Sequence, residues 1–186
     1  EGRLYVPAFE SGNRSELSSC FGPPDPEDPP PPSGSDIIMD DGNSGTSSDG
    51  FWQPSGGPNP YKGESLYASG TGSYVYDVRV PAAGTYGVYV WYTEWPSRES
   101  AVPYEVRHDS GTAIVKLDQR VNGGKWNPIG DFGSGATGRV TVRVVDSNTV
   151  CADAIRIVPG GGTGITPDPD PEPVDPTGDP AITDLA

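Results

Sequence analysis

Apolar and polar residues alternate with a period of two along the central part of the chain. The clearest runs are Tyr74, Tyr76, Val78 and Val80; Tyr86, Val88, Val90 and Tyr92; and Val140, Val142 and Val144. This alternation places apolar side chains on one face of an extended chain, as in a sheet with one buried side. No segment shows the 3.6-residue period of an amphipathic helix. The pattern therefore predicts an all-β domain.

Nine short strands are predicted, near residues 37–39, 65–69, 73–80, 84–94, 103–108, 112–118, 126–132, 139–145 and 150–158. Strands of this number and spacing favour an antiparallel, two-sheet β-sandwich of the jelly-roll type with extended proline-rich tails. The predicted domain covers residues 36–159.

Residues 111–132 are predicted to form a hairpin within this domain. The sequence Asn-Gly-Gly at 122–124 tolerates positive φ angles, which a two- or three-residue turn requires. Trp126 lies on the predicted return strand and is expected in the core, and Pro128 marks a bulge or a sheet edge.

Four motifs occur in order around this hairpin. They are IIMDDGNSG at 37–45, VPAAGTYGVYVWY at 80–92, AVPYEV at 101–106 and ADAIRIV at 152–158. Together they resemble the Golvesin C-terminal-like domain, also called the xanthan-lyase carbohydrate-binding-like domain. The resemblance implies a non-catalytic module of a secreted protein, with an extracellular or cell-surface location. It identifies no ligand, because one sandwich fold serves many functions.

Proline-rich segments flank the predicted domain. Residues 23–35 form a linker whose consecutive prolines favour an extended polyproline II rod, and residues 160–186 form a Gly/Pro/Asp-rich linker or tail. Before them, residues 1–22 contain a strand-like segment that is too short to bury its own apolar side chains. This segment is predicted to dock on its own sandwich or on a neighbour through Leu4, Tyr5, Val6 and Phe9.

Most of the negative charge lies in the tails. The formal net charge is −14; residues 1–36 hold seven acids and two arginines, and residues 160–186 hold six acids and no bases, which leaves −3 for the 123 residues between them. Nucleic acid is excluded as a partner because no basic stripe is present to bind phosphates. Membrane insertion is excluded because no apolar run approaches the roughly 20 residues of a spanning helix.

The two cysteines, Cys20 and Cys151, fit no metal-ligand spacing. In an extracellular protein they are predicted to form a disulfide bond that joins the N-terminal tail to the last strand. Two unpaired thiols, or a bridge between subunits, remain as alternatives.

The residue types that hydrolytic enzymes need are missing or badly spaced. His108 is the single histidine, and its position at a strand end indicates a surface residue. Asp40 and Asp41 are adjacent, so in a strand their side chains face opposite sides and cannot act on one substrate. We therefore expect no enzymatic activity and no cofactor.

A calcium ion is the one alternative to the expectation that no cofactor binds. Hard oxygen ligands are concentrated in one segment that contains Asp40, Asp41, Asn43 and Asp49. Their spacing is not that of an EF-hand, and such residues more often form turns by hydrogen bonding to their own backbone.

Aromatic residues outside the predicted core are the candidates for sugar binding. Sugar rings stack on the faces of Trp and Tyr, while polar neighbours bind the hydroxyl groups. The candidates are Trp52, Tyr61, Tyr89, Trp91, Trp95 and Arg98. Packing into the core is the alternative for the aromatic residues.

Two functions agree with these observations. The preferred hypothesis is a structural or adhesive subunit of a surface or filamentous assembly, which docks on copies of itself or on another surface protein. A stiff spacer on each side of the domain favours this hypothesis. The alternative is a carbohydrate-binding module of a secreted, polysaccharide-acting protein.

Overall fold

The computed structural model describes residues 34–135, 137–145 and 148–165. These residues form twelve strands and one short 3-10 helix, Tyr61–Gly63, which confirms the all-β prediction. No helix in this part of the chain is long and apolar enough to cross a membrane. In chain order the strands are β1 (Ile37–Asp40), β2 (Thr46–Asp49), β3 (Gln53–Pro54), β4 (Leu66–Ser69), β5 (Gly72–Arg79), β6 (Gly84–Trp91), β7 (Val102–His108), β8 (Gly111–Leu117), β9 (Asn127–Ser134), β10 (Thr137–Val144), β11 (Thr149–Ala152) and β12 (Ala154–Pro159).

The strands form three sheets in which neighbouring strands are antiparallel. The four-stranded sheet has the order β1-β12-β6-β9, and the five-stranded sheet has the order β2-β5-β10-β7-β8. Their apolar faces contribute to one hydrophobic core, which is the predicted sandwich. A small third sheet, β11-β4-β3, continues into the four-stranded sheet because β11 is followed directly by Asp153 and β12.

The alternation along the strands explains how this core forms. On β6 the side chains of Tyr86, Val88 and Val90 are buried, whereas Tyr89 and Trp91 are half-buried on the opposite face. The five-stranded sheet contributes its own alternate residues, among them Tyr74, Tyr76, Val78, Val140, Val142 and Val144. Each fully buried side chain of this size contributes about 1.5–3 kcal/mol of transfer free energy, so the two aligned faces hold the sandwich together.

The predicted hairpin at 111–132 is wrong. β8 is an edge strand of the five-stranded sheet and β9 is an edge strand of the four-stranded sheet, so the segment between them crosses from one sheet to the other. Asn122 and Gly124 do have positive φ angles, of 62° and 67°. Gly123 instead donates its N–H to Glu94 Oε2 at 2.9 Å, and a Cβ on Gly123 would lie 2.3 Å from the Glu94 nitrogen. Gly123 is therefore required for close packing of two loops.

Two further strand predictions differ from the structure. The predicted strand at 150–158 is divided at Asp153 into β11 and β12, which belong to different sheets. β2 is not predicted from the sequence, because its residues are Thr-Ser-Ser-Asp and carry no apolar alternation. It pairs with β5 at the edge of the five-stranded sheet, where most of its side chains are exposed.

Only the start of the second predicted linker lies within the described part of the chain. Asp131 on β9 accepts hydrogen bonds from the N–H groups of Gly162, at 3.1 Å, and Thr163, at 3.0 Å. The Asp131 N–H donates to the Ile165 carbonyl at 3.3 Å. Residues 160–165 thus lie against β9. Outside the described residues are the four predicted docking residues, Leu4, Tyr5, Val6 and Phe9.

Cys151 forms no disulfide bond with another described residue, so the predicted disulfide bond with Cys20 stays a prediction. Cys20 itself lies outside the described residues. The Cys151 side chain is fully buried in β11, where its sulfur accepts a hydrogen bond from the Thr93 N–H at 3.4 Å. Burial raises the pKa of the thiol. The sequence places Cys151 on the last strand but does not show that its side chain points into the core.

Candidate functional site

A cavity lies beside the three-stranded sheet, where the loop from β6 to β7 meets the loop from β3 to β4. Its volume is about 310 Å³, which is at the lower end of the range for small-molecule sites, about 300–1,000 Å³. The lining residues are Ser55, Gly56, Gly57, Tyr67, Trp95, Ser97, Arg98 and Thr149. We call this the Trp95 cavity. It brings together two of the six residues predicted to bind carbohydrate, Trp95 and Arg98.

Trp95 begins a four-residue turn, Trp-Pro-Ser-Arg, in the β6–β7 loop. The Arg98 N–H donates to the Trp95 carbonyl at 3.0 Å, and Pro96 restricts φ at the second position, where turns favour proline. Trp95 is 50% exposed. An indole that is held half in solvent by a short turn is available to stack against a ligand.

Backbone hydrogen bonds fix the β6–β7 loop on both sides. Glu99 donates its N–H to the Thr149 carbonyl at 2.9 Å, and Thr149 donates its N–H to the Ser97 carbonyl at 3.0 Å. The Trp95 N–H donates to the Gln119 carbonyl at 3.4 Å, and the Gln119 N–H donates to the Glu99 carbonyl at 3.1 Å. The position of Trp95 is therefore set before a ligand binds, which lowers the entropic cost of binding.

Arg98 lies on the wall of the cavity and is only 5% exposed. Its Nη2 donates to the Ser55 hydroxyl at 2.8 Å, its Nη1 to the Thr149 hydroxyl at 3.2 Å and its Nε to the Thr93 carbonyl at 3.4 Å. The guanidinium carbon lies 5.5 Å from the centre of the Tyr67 ring. Burial lowers the pKa of Arg98. Every one of these polar partners is neutral.

Thr93 connects the wall of the cavity to the core. Its hydroxyl lies 3.2 Å from Ser55 Oγ, 3.3 Å from Ser65 Oγ and 3.3 Å from Cys151 Sγ. Behind it, the Gln119 side chain accepts the Cys151 N–H at 2.7 Å and donates to the Cys151 carbonyl at 2.8 Å. Leaving one such buried group unpaired costs about 1–3 kcal/mol, so this network makes the wall rigid.

Two other predicted binding residues, Tyr61 and Trp91, lie in a separate aromatic cluster with Trp126. The ring centroids are 5.2–5.6 Å apart and the rings meet at 55–78°, so the edge of one ring covers the face of another. The Trp91 indole N–H donates to the Asn59 carbonyl at 2.9 Å. Trp126, which the sequence places in the core, is half-buried here. In this cluster the aromatic faces are largely occupied by the protein itself.

The remaining two candidates pack against other residues. Tyr89 lies on the same face of β6 as Trp91, with the Arg156 guanidinium carbon 5.7 Å from the centre of its ring. Trp52 packs against Tyr74 at 5.3 Å and donates its indole N–H to the Asp49 carbonyl at 3.0 Å. The six candidates are thus divided among four sets of contacts: the Trp95 cavity, the aromatic cluster, Arg156 and Tyr74.

The predicted calcium ligands Asp40, Asp41, Asn43 and Asp49 are not gathered around one point. The Asn43 side-chain oxygen accepts the Asp40 N–H at 3.1 Å, and the Asn43 carbonyl accepts the Thr46 N–H at 3.1 Å. These hydrogen bonds form a turn in which a side chain bonds to the nearby backbone, and such a turn was the alternative to a calcium site. Within 34–135, 137–145 and 148–165, no three acidic, His or Cys side chains are grouped so that they would hold a metal ion.

Asp153, between β11 and β12, has the most strongly perturbed carboxylate near this turn. It is 1% exposed, and its two oxygens accept the Tyr61 N–H at 3.1 and 3.2 Å. Burial, together with repulsion from Asp41 and Asp40, raises the pKa of Asp153 to about 8. Burial, Asp40 and Glu64 raise the pKa of Asp41 to about 6.

Sequence reasoning missed the residues that complete the Trp95 cavity. Ser55, Tyr67 and Thr149 come from three separate segments, and the local pattern of each segment resembles an ordinary loop or strand. The available signal was the loop TEWPSRES, which combines an aromatic residue, a turn and an arginine. That signal locates one wall of the cavity, while the other walls depend on the tertiary fold.

The family of the chain follows from its sequence. The profile of the Golvesin C-terminal domain matches residues 37–159. The chain belongs to the Golvesin C-terminal domain family. This Golvesin domain is 33% identical over 174 residues to the xanthan lyase of Bacillus sp. (strain GL1), and the match covers 87% of this chain and 18% of that protein. The chain thus spans less than a fifth of the length of this relative.

Solved structures agree with this relationship. The structure of Paenibacillus xanthan lyase superposes with a TM-score of 0.62 at 30% identity, over 66% of this chain and 13% of that one. The Podospora anserina GH26-CBM35 β-(1,4)-mannanase superposes with a TM-score of 0.50 at 8% identity, over 68% of this chain and 28% of that one, and it shows a common fold only. The Golvesin domain is therefore a β-sandwich related to a part of xanthan lyase.

Proposed function

We propose that this Golvesin domain is a non-catalytic, extracellular carbohydrate-binding module, and that the Trp95 cavity is its binding site. The observation that carries the proposal is the half-exposed indole of Trp95, held by a hydrogen-bonded turn beside a cavity of suitable size. A sugar ring stacks on such an indole through its C–H face, and its hydroxyl groups need polar partners at the ring edge.

The chemistry of the cavity wall suits saccharide binding. Apart from Trp95 and Tyr67, the lining residues are serine, threonine, glycine and one arginine. Hydroxyl groups and backbone amides both donate and accept hydrogen bonds, as sugar hydroxyls do. Among the described residues, the wall contains no carboxylate, imidazole or thiol, and such groups are the usual acids, bases and nucleophiles of hydrolysis. The site is therefore suited to binding and not to cleavage.

The relationship to xanthan lyase supports this function over a purely structural one. The name of the relative, xanthan lyase, describes an enzyme that acts on a polysaccharide. The matched region is less than a fifth of the length of that enzyme, which is the size of an accessory module. The hypothesis of a structural or adhesive subunit depends on the segment that contains Leu4, Tyr5, Val6 and Phe9. That segment lies outside the described residues, so docking to copies of this chain or to another surface protein stays a prediction.

Affinity electrophoresis of Trp95→Ala tests the proposal. Gels that contain xanthan, a neutral β-glucan or a neutral β-mannan are compared with a polymer-free gel. We expect at least one polymer to retard the unaltered protein, and Trp95→Ala to weaken that retardation about tenfold or more, because aromatic anchors dominate such contacts. The melting temperature is expected to stay the same, because Trp95 is half in solvent.

Two variants serve as controls for this experiment. Phe51→Ala removes another aromatic side chain, one that is 72% exposed and lies outside the cavity, and should be retarded as strongly as the unaltered protein. Trp91→Ala should lower the melting temperature, because it removes packing against Tyr61 and Trp126, yet keep the retardation. Equal retardation of Trp95→Ala and the unaltered protein would contradict the assignment of the site.

A further inference from the structure

We infer that the Trp95 cavity selects a saccharide that carries a negatively charged substituent, and that the Arg98 guanidinium is the group that binds this substituent. The inference rests on the proposed function, since it names the class of sugar for the same site. Its basis is a contrast between buried Arg98 and the exposed or half-exposed arginines that the structure describes. Of these, Arg79 and Arg107 have no carboxylate partner among the described residues but are exposed to water.

Four arginines in more exposed positions each have a carboxylate partner. Their nitrogen–oxygen distances are 2.5–2.7 Å, and between a third and a half of each arginine side chain is exposed. The pairs are Arg120–Asp118, Arg139–Asp77, Arg143–Glu105 and Arg156–Asp36. In such positions water screens the charge, and a partner contributes little. These four arginines therefore have a countercharge at positions where an ion pair adds little to stability.

Arg98 shows the opposite arrangement. It is 5% exposed, yet no carboxylate of the described residues lies within 4.0 Å of its guanidinium. A buried charge is normally paired, because its transfer out of water is costly without compensation. Among the described residues, Arg98 is compensated by neutral groups, namely hydroxyl and carbonyl oxygens and the Tyr67 ring. An anion in the adjoining cavity would provide the countercharge that the protein does not.

The geometry of the guanidinium also leaves a donor for a ligand. An arginine has five N–H groups. Nη2 is engaged by Ser55 and Thr93, Nε by the Thr93 carbonyl and Nη1 by Thr149. One N–H of Nη1 has no acceptor among the described residues. The four bonds hold the plane of the group in place, and Arg98 lines the cavity.

The surroundings favour an anionic sugar over a free anion. Arg98 and Trp95 are the two ends of one turn, so a ring that stacks on the indole brings its substituent close to the guanidinium. None of the described residues of the cavity wall carries a negative charge that would repel the substituent. The net charge of −14 acts at longer range, where salt screens it beyond about 8 Å.

Binding of matched polymer pairs by the unaltered protein tests the inference without any substitution. Xanthan, polygalacturonate and alginate are each compared with their carboxyl-reduced forms, and dextran sulfate is compared with dextran. We expect binding of at least one acidic polymer, and at least a tenfold loss on reduction of its carboxyl groups, because a charge-assisted hydrogen bond is removed. Stronger binding of dextran sulfate than dextran would identify sulfate as an accepted substituent.

Variants of Arg98 then locate the effect. Arg98→Gln should lower affinity for the acidic polymer at least tenfold, so that the ratio of the affinities for the acidic polymer and its reduced form falls towards one. Arg98→Lys should keep part of the preference, because it keeps the charge but not the planar group. Arg79→Gln, at an exposed position outside the cavity, is the matched control and should bind like the unaltered protein.

The outcomes separate this inference from the proposed function. Equal binding of acidic and reduced polymers, with loss of both in Trp95→Ala, would overturn the acidic preference and leave the binding module intact. A preference for acidic polymers that persists in a folded Arg98→Gln variant would also overturn it. Binding of none of the polymers, charged or neutral, would contradict both.

Discussion

Whether an aromatic side chain is available to a ligand depends on its packing at the level of single residues. Trp95 and Trp91 belong to the same stretch of chain, and both are partly exposed. The Trp91 indole N–H donates to the Asn59 carbonyl, and the Trp91 ring packs against Tyr61 and Trp126. Trp95 makes its contacts through the backbone and leaves its indole half in solvent. The contacts of the two side chains therefore distinguish Trp95 from Trp91, whereas their sequence context does not.

Asp153 has a measurable effect on the stability of the fold. The native state holds a proton on Asp153 up to a pH of about 8, whereas the unfolded state releases it near 3.8. Between these values the folded protein binds more protons than the unfolded one, so the free energy of unfolding falls as pH rises. Chemical denaturation at pH values from 4 to 9 should show this fall, and Asp153→Asn should reduce it between pH 6 and 8.

The amide of Asp153→Asn keeps an oxygen for the Tyr61 N–H, so the substitution removes the titratable group with little change of shape. Asp41, with a pKa of about 6, should still contribute below that pH. Asp77→Asn is a suitable control, because Asp77 is exposed and paired with Arg139. An identical pH dependence for Asp153→Asn and the unaltered protein would show that Asp153 is ionised in the folded state.

At the scale of elements, the loop between β8 and β9 links the two sheets and supports the loop that carries Trp95. Gly123 donates to the Glu94 carboxylate, and Gly124 donates to the Tyr92 carbonyl at 2.9 Å. Gly123→Ala would place a Cβ 2.3 Å from the Glu94 nitrogen. Since a backbone atom cannot move aside cheaply, we expect a loss of about 1–3 kcal/mol in the free energy of unfolding.

Gly133→Ala is the matched control for this substitution. Gly133 lies on β9, and a Cβ there would meet no atom within 4 Å. The free energy of unfolding of the Gly133→Ala variant should stay within about 0.5 kcal/mol of that of the unaltered protein. If Gly123→Ala were equally well tolerated, the close contact between the two loops would not be a constraint on the fold.

The sequence predicted the elements better than the connections between them. Alternation along β5, β6 and β10 identified the buried faces, because a residue period of two is a local property. The segment 122–124 has the residues of a hairpin turn, but the same residues also allow a loop to pass close to Glu94. Only the pairing of β8 and β9 with other strands decides between these alternatives, and that pairing is not local.

The candidate site shows the same limit. Trp95 and Arg98 were identified because an aromatic residue and an arginine in a turn are typical of sugar binding. Tyr67 and Thr149 complete the cavity from strands β4 and β11, which the fold brings to the same place. The burial of Arg98 without a carboxylate partner depends on all of these segments, so no local sequence pattern contains it.

At the scale of the whole molecule, the sandwich is a rigid support that holds loops from distant parts of the sequence around one cavity. The Golvesin domain corresponds to less than a fifth of the related xanthan lyase, and the described residues of its cavity wall include none of the usual catalytic groups. These facts support the proposal of a carbohydrate-binding module. The central claim is therefore the location of binding at Trp95.

The indole N–H signals of the four tryptophans in a ¹H–¹⁵N NMR titration test this claim most directly. The protein is titrated with oligosaccharides from xanthan, and each signal is assigned with a Trp→Phe variant. We predict that the Trp95 signal shifts in a saturable manner, while those of Trp52, Trp91 and Trp126 stay within the line width. Saturable shifts of Trp91 and Trp126 with an unchanged Trp95, or no shift of any indole, would contradict the account.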